Sequence, residues 1–213
     1  MKKYELTAEF IEKWGKKLFR IKALISFGSV EAGELGGYVE KEDSLAQNGD
    51  AWVYGNAWVC GNARVCGNAR VYGNAEVYGD ARVCDDARVY GNARVYGNAE
   101  VYGNAWVYGD AWVYGNAWVC GNAEVYGDAD YLLIGRIGSR FSFTTFFKNK
   151  DKGITVSCGC FLGTIAEFRA KVTDTHGNNK HAKMYNLAAD MAELQILGEE
   201  HFDKLNTNKS EPF

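Results

Sequence analysis

From residue 51 onward the apolar positions of this chain keep a strict period of six. Alanine stands at every sixth place from Ala51 to Ala129 and valine at every sixth from Val53 to Val125, with no insertion. Between Ala and Val lies Trp, Arg or Glu. After Val come Tyr or Cys, then Gly, then Asn or Asp, and the one lapse at the glycine place is Asp85. Residues two apart on an extended chain point to the same side, so Ala and Val share one face and their neighbours the other. Gly followed by Asn or Asp supplies a corner, because both tolerate the left-handed backbone region. Four extended residues and a two-residue corner make one side of a prism, and three sides close a coil of 18 residues around Ala and Val. The 13 hexads amount to about four and a third coils, which at a ladder spacing of roughly 4.8 Å make a prism about 20 Å long. An amphipathic helix needs apolar residues at three and four, and a pentapeptide solenoid needs five; neither fits.

Residues 18 apart stack, so the outer surface reads as columns. One runs Tyr54, Tyr72, Tyr90, Tyr108, Tyr126; a second Cys60, Tyr78, Tyr96, Tyr114; a third Cys66, Cys84, Tyr102, Cys120. The columns between Ala and Val place Glu76 over Arg94 and Arg82 over Glu100 as exposed ion pairs worth little. Trp106, Trp112 and Trp118 fall in one coil and face three sides. With Tyr108 and Tyr114 they form a candidate interface, since monomers rarely leave large apolar patches in water. The blander reading is that the ladders only hold the coils together. The five repeat arginines, Arg64, Arg70, Arg82, Arg88 and Arg94, are spread over all three sides. A phosphate-tracking groove would gather them on one, so nucleic acid is not an expected partner.

The motif A-x-V-[YC]-G-[ND] resembles the bacterial hexapeptide-transferase superfamily, whose solenoids are left-handed parallel β-helices; the handedness is what the resemblance implies. The stretch Gly33-Glu34-Leu35-Gly36-Gly37-Tyr38-Val39-Glu40 resembles the entry region of uncharacterised hexapeptide-repeat proteins of bacteria and their phages. No activity comes with that group. The acyltransferases of the superfamily generally use a histidine base, and its hydratases hold metal with histidines. Residues 51–130 contain no histidine; His176, His181 and His201 all follow the repeat. The resemblance thus implies a fold without its usual catalytic residue.

Composition adds limits. Glycine is abundant (25) and proline nearly absent (1), which suits a repeated corner better than flexible linkers. A net charge of −3 gives no field toward polyanions. No apolar run has the length of a signal peptide or a membrane span, and the six cysteines are expected to be reduced thiols of a cytoplasmic protein. Cys66 and Cys84 stack one coil apart, within reach of a bridge by Cα distance, but the reduced state is the preferred reading.

The expected fold is mainly β: a left-handed parallel β-helix over residues 51–130, an N-terminal β cap over 1–50, a small C-terminal α+β module over 131–197, and a polar, frayed tail over 198–213. The cap carries a hairpin around Trp14-Gly15-Lys16-Lys17, and Val39 and Leu45 fall in the alanine register of the repeat. After Asp130 come strands with a turn at Asn149–Gly153. Thr164 with Glu167 is a capping box opening a helix with the stripe Ile165, Phe168, Val172. A second helix over about 181–197 sets Met184, Leu187, Ala188, Met191 and Leu194 on one face.

Two constellations in the module invite chemistry. Cys158 and Cys160 with His176 and His181 are a legitimate zinc set by ligand type, but Cys-x-Cys is shorter than the usual spacing, and strand cysteines beside a loop histidine explain them as well. No metal and no cofactor is assigned. Gly135-Arg136-Ile137-Gly138-Ser139-Arg140 offers glycine-backed amides and two arginines for a small anion, with His176 and Lys180 toward the other end. The ordinary reading of that stretch is a turn joining solenoid to module. The function expected is a non-enzymatic scaffold or binding protein, self-associating, with no membrane partner. The phage-type resemblance implies one that sequesters or blocks a host protein or nucleotide signal. The alternative is a hexapeptide-type acyltransferase or other small-molecule enzyme with its site between subunits.

Overall fold

A computed structural model describes residues 2–200 and divides them into two compact units, one of residues 2–122 and 126–128, the other of 123–125 and 129–200. In the first, a parallel β-solenoid of about five coils follows an antiparallel hairpin. Strands β1 (Tyr4–Lys13) and β2 (Lys16–Ala23) are joined through Trp14 and Gly15, both at positive φ (51° and 73°). Two consecutive left-handed residues are what a two-residue hairpin of matching twist requires. Strand β3 (Leu35–Val39) pairs antiparallel with β2 and parallel with Trp58–Val59, and so turns the hairpin into one wall of the solenoid.

Each hexad contributes a two-residue strand, and strands three hexads apart pair in parallel and in register: Glu76 on Arg94, Arg82 on Glu100, Arg88 on Trp106. The backbone bonds repeat with the period. Glu76 N donates to Ala93 O, Tyr78 N to Val95 O and Asp80 N to Gly97 O, all at 2.8–3.0 Å. The interior is apolar: every repeat alanine from Ala51 to Ala117 and every repeat valine from Val53 to Val119 is buried. At the corners the Asn side chains form a ladder of their own. Asn62 Nδ2 donates to Asp80 Oδ1 (2.9 Å), and Asn92 Nδ2 to Asp110 Oδ1 (3.0 Å). This gives the Asn/Asp place a second role beyond tolerating the corner.

Val39 and Leu45 do not take alanine places. They lie against Val59 and Val65, each 20 residues on rather than 18. By Gly49, which abuts Gly67, the offset is 18 again. Two extra residues therefore bulge out between Leu45 and Gly49, and the bulkier side chains fill the valine columns of the first coil. The hairpin seals this end. Lys3 Nζ donates to Ala51 O (2.9 Å) and Gly49 O (3.2 Å) and lies over the Phe27 ring. Burial pushes the Lys3 ammonium down to about 8, opposed by the charge of Asp50. The Tyr4 hydroxyl donates to Leu45 O (3.0 Å), and its ring meets Trp52 edge-on.

The structure joins Cys66 and Cys84 in a disulfide, against the expectation of a reduced pair. The cause is the coil stacking, which sets their Cα atoms 4.6 Å apart just after two paired parallel strands, within bridging range. Without reductant the intact mass is expected about 2 Da below that of the reduced chain, and reduction is expected to lower stability by up to about 3 kcal/mol, the loop-closure value for a link of this span. Equal masses before and after reduction would show an open pair. Cys60 and Cys120 are buried free thiols, and burial pushes each up to about 11.

The second unit builds an antiparallel sheet from Tyr131–Ile137, Ser142–Lys148, Ile154–Cys158 and Phe161–Thr164, in that order. Asn149 fixes the middle turn, its Oδ1 accepting from the amides of Asp151 and Gly153. Helix α1 (Ile165–His176) opens on the expected capping box: Thr164 Oγ1 accepts from Glu167 N (3.3 Å) and Glu167 Oε2 from Thr164 N (2.8 Å). Helix α2 (Lys180–Leu197) starts at Asn179, whose side chain accepts from the amides of His181 and Ala182. Arg169 ties the helices together, donating to Asp190 and to the buried Glu193 at 2.7 Å each. The face of α2 that enters the core is not the expected one. Ala182, Tyr185, Ala188, Ala189, Ala192 and Ile196 are buried, and of the predicted stripe only Ala188 is among them. The sheet and α1 already fill the core with Phe146, Val156, Phe168 and Val172, which leaves room for alanines rather than for Met and Leu. Residues 201–213, most of the predicted tail, lie outside the described residues. No helix among the described residues is long and apolar enough to cross a membrane.

A candidate anion cleft in the C-terminal unit

Helical spacing places Phe168, Lys171, Val172, Thr175 and His176 on one side of α1. Phe168 and Val172 are buried in the core, so the same side carries His176 to the mouth of a cavity of about 240 Å³. The opposite wall comes from the turn after Tyr131–Ile137, with Ser139 and Arg140, and from the turn Gly159-Cys160 between the last two strands. Tyr185 of α2 and Phe161 complete an aromatic floor. Arg140, Lys171 and His176 supply cationic or protonatable groups, Ser139, Ser142 and Thr175 hydroxyls, and no carboxylate among the described residues lines the cavity. Lys171 is partly engaged, its Nζ 3.1 Å from Asp174 Oδ2 on the surface.

The polar groups of the floor are interlocked. Thr144 Oγ1 donates to Cys158 Sγ (3.2 Å). Burial holds the Tyr185 hydroxyl above the ordinary phenol value; the adjoining Cys158 thiol adds to the shift and the Arg140 guanidinium opposes it. His176 stacks on Tyr185 at 5.8 Å, with an interplanar angle of 27°. Gly138, at φ 72°, is needed here for a reason other than an amide cradle: a Cβ on it would overlap the Tyr185 hydroxyl. The glycine thus admits a ring, where the sequence suggested a phosphate-binding loop.

Of the anion set read from sequence, Ser139, Arg140 and His176 line the cavity; Arg136, on the strand Tyr131–Ile137, and Lys180, at the start of α2, do not. Gly135–Ile137 end that strand and residues 138–141 form the hairpin turn to Ser142–Lys148, so the stretch lies inside the unit and is not a connector from the solenoid. Cys158, Cys160 and His176 also line the cavity, but among the described residues no three His, Cys, Asp or Glu side chains are grouped to hold a metal; His181 meets His176 ring to ring at 5.9 Å. Sequence reasoning missed Lys171, Thr175 and Tyr185. The first two were legible from their spacing to Phe168 and Val172. Tyr185 was not, because nothing in the sequence tells which face of α2 enters the core.

The solenoid candidates stand on three separate sheets. Trp106, Trp112 and Trp118 are exposed, with Arg88 5.0 Å over Trp106 and Arg94 4.8 Å over Trp112. Tyr108 stacks on Tyr90 (5.0 Å, 7°) and Tyr114 on Tyr96 (5.4 Å, 15°). The predicted pair Arg94–Glu76 is present at 2.9 Å. Arg82 and Glu100 stand in register on neighbouring strands, where their charges act on the Tyr102 hydroxyl in opposite directions.

Residues 63–79, 81–97, 87–103, 93–109 and 99–115 are similar to the family described as the YdcK beta solenoid repeat. These matches lie wholly within the coils, and with the stacked parallel strands they make the central part of the chain a repeat β-solenoid. No curated protein matches the chain.

Proposed function

We propose that this β-solenoid protein is a non-enzymatic binding protein, whose C-terminal cleft takes a small organic anion and whose solenoid is a rigid scaffold. The observation that carries the reading is the lining of the cleft: Arg140 and His176 over an aromatic floor, with no carboxylate among the described residues around it. Arginine offers a planar fork of donors to a phosphate or carboxylate. Phe161 and Tyr185 offer a surface for an apolar or aromatic body. At about 240 Å³ the cavity is smaller than most drug-sized pockets, which restricts the ligand to a small molecule.

The solenoid supports the scaffold part. Its hexads keep one pattern, and its interior is closed by Ala and Val, with no polar or charged residue among the buried positions from Ala51 to Val125. Its outward tryptophans suit contacts distributed around the coil more than a single groove.

Phenyl phosphate, which joins an aromatic ring to a dianion, is the probe for the cleft. Calorimetric titration is expected to show saturable one-site binding, weakened at least about tenfold in Arg140→Gln, the loss of one charge-assisted contact. Absence of binding to the wild-type chain at millimolar probe, or equal affinity in the variant, would overturn the reading.

A further inference from the structure

Helix α2 is apolar on two opposite sides. One side is the alanine-rich face packed in the core. The other, centred roughly 150° round the helix, carries Met184, Leu187, Met191 and Leu194, all exposed; Leu187 is 64% and Met191 57% accessible. A helix with apolar residues all round is normally buried all round. The spacing of the exposed four is three, four, three. That is the a/d repeat by which two helices pack knobs into holes.

We propose that this stripe is a homodimer interface, in which α2 of one protomer packs antiparallel against α2 of a second copy. The charge at the ends of the helix selects the partner and its direction. Lys180 and Lys183 lie in the first turn of α2, and Glu199 and Glu200 follow its last, all four exposed. An antiparallel pair sets the lysines of each copy beside the glutamates of the other, twice by symmetry. A parallel pair would set like on like. A two-fold contact is self-complementary by construction: Leu187 meets Met191 of the other copy and Met184 meets Leu194. The polar flank of α2 next to the stripe is engaged within the protomer, since Asp190 and Glu193 bind Arg169. This surface is distinct from the solenoid tryptophans and independent of the cleft.

Sedimentation equilibrium of the full chain from about 1 to 500 µM tests the proposal. A monomer of 23.6 kDa is expected to pass to twice that mass with a dissociation constant in the micromolar range, as a contact of four side chains per copy implies. The double variant L187E/M191E is expected to stay monomeric with an unchanged melting curve, since both side chains are exposed in the protomer. Raising the salt to about 1 M is expected to weaken the wild-type dimer by screening the helix ends. A wild-type chain that remains a monomer throughout overturns the proposal, whether the stripe is bare or covered by residues 201–213. A dimer that persists in L187E/M191E, or one broken only by changing Trp106, Trp112 and Trp118, overturns it equally. A dimer that tightens with salt would overturn the antiparallel arrangement.

Discussion

Trp52→Ala is expected to lower stability by about 3–5 kcal/mol, and Trp106→Ala by no more than about 1 kcal/mol. Both residues hold the same place in the hexad and the same column of the solenoid, so any local rule would treat them alike. They differ in what lies outside. Trp52 is 0% exposed, enclosed by the rings of Tyr4 and Phe27 at 6.1 and 5.3 Å, whereas Trp106 is 36% exposed with Arg88 over it. Truncating Trp52 leaves a large cavity between hairpin and first coil that the ladder-bonded backbone cannot close. Truncating Trp106 removes a surface ring and one cation–π contact. Trp52→Phe is expected to cost less than the alanine change, because the buried indole Nε1 has no hydrogen-bond partner among the described residues. Urea unfolding, with hydrogen exchange to report the first coil separately, measures these differences; a solenoid opens by neighbouring coils as well as globally. Similar losses at Trp52 and Trp106 would mean that the hairpin does not shield this end.

Gly91→Ala is expected to cost about 2–4 kcal/mol, and Gly121→Ala about 1–2 kcal/mol. Both glycines sit in the left-handed region, at φ 72° and 68°. A Cβ on Gly91 would lie 3.0 Å from both the N and the O of Gly109 in the next coil, atoms fixed by the ladder. A Cβ on Gly121 meets nothing within 4 Å, so only the backbone term remains. Asp85 is the natural exception at this place, at φ 59°, and it compensates locally by accepting a hydrogen bond from Gly103 N (3.2 Å). Thermal melts of the two variants compare the terms directly. Equal losses would show that contact between corners contributes nothing.

The solenoid was legible because each hexad is a complete local instruction: the side-chain period, the corner and the apolar interior all follow from six residues. Stacking at 18 residues, the columns and the Glu76–Arg94 pair followed in turn. What a column meets from outside was not legible, because identical hexads carry no record of it; Trp52 and Trp58 are buried by the hairpin, and later tryptophans are not. The two extra residues before Gly49 were also missed, since Val39 and Leu45 match the alanine places by count alone. In the C-terminal unit the turn at Asn149 and the capping box at Thr164 were readable from side chains that bond their own backbone. The buried face of α2 was not. Two apolar stripes compete on that helix, and volume in the core selects the smaller one. The cleft's Tyr185 failed to emerge from sequence for the same reason, since it belongs to the smaller stripe.

Those two extra residues bear on how the chain finds its fold. A stack of near-identical coils permits a slip of one full coil that preserves nearly every ladder bond and leaves the same residue types inside. Such out-of-step stacks are close in energy to the native one and slow to escape. The first coil has a length of 20 where the others have 18, and its strand β3 pairs with the hairpin strand β2. It therefore acts as the starting pin of a zipper: once Val39 lies against Val59 and Leu45 against Val65, each later tooth has only one place to close.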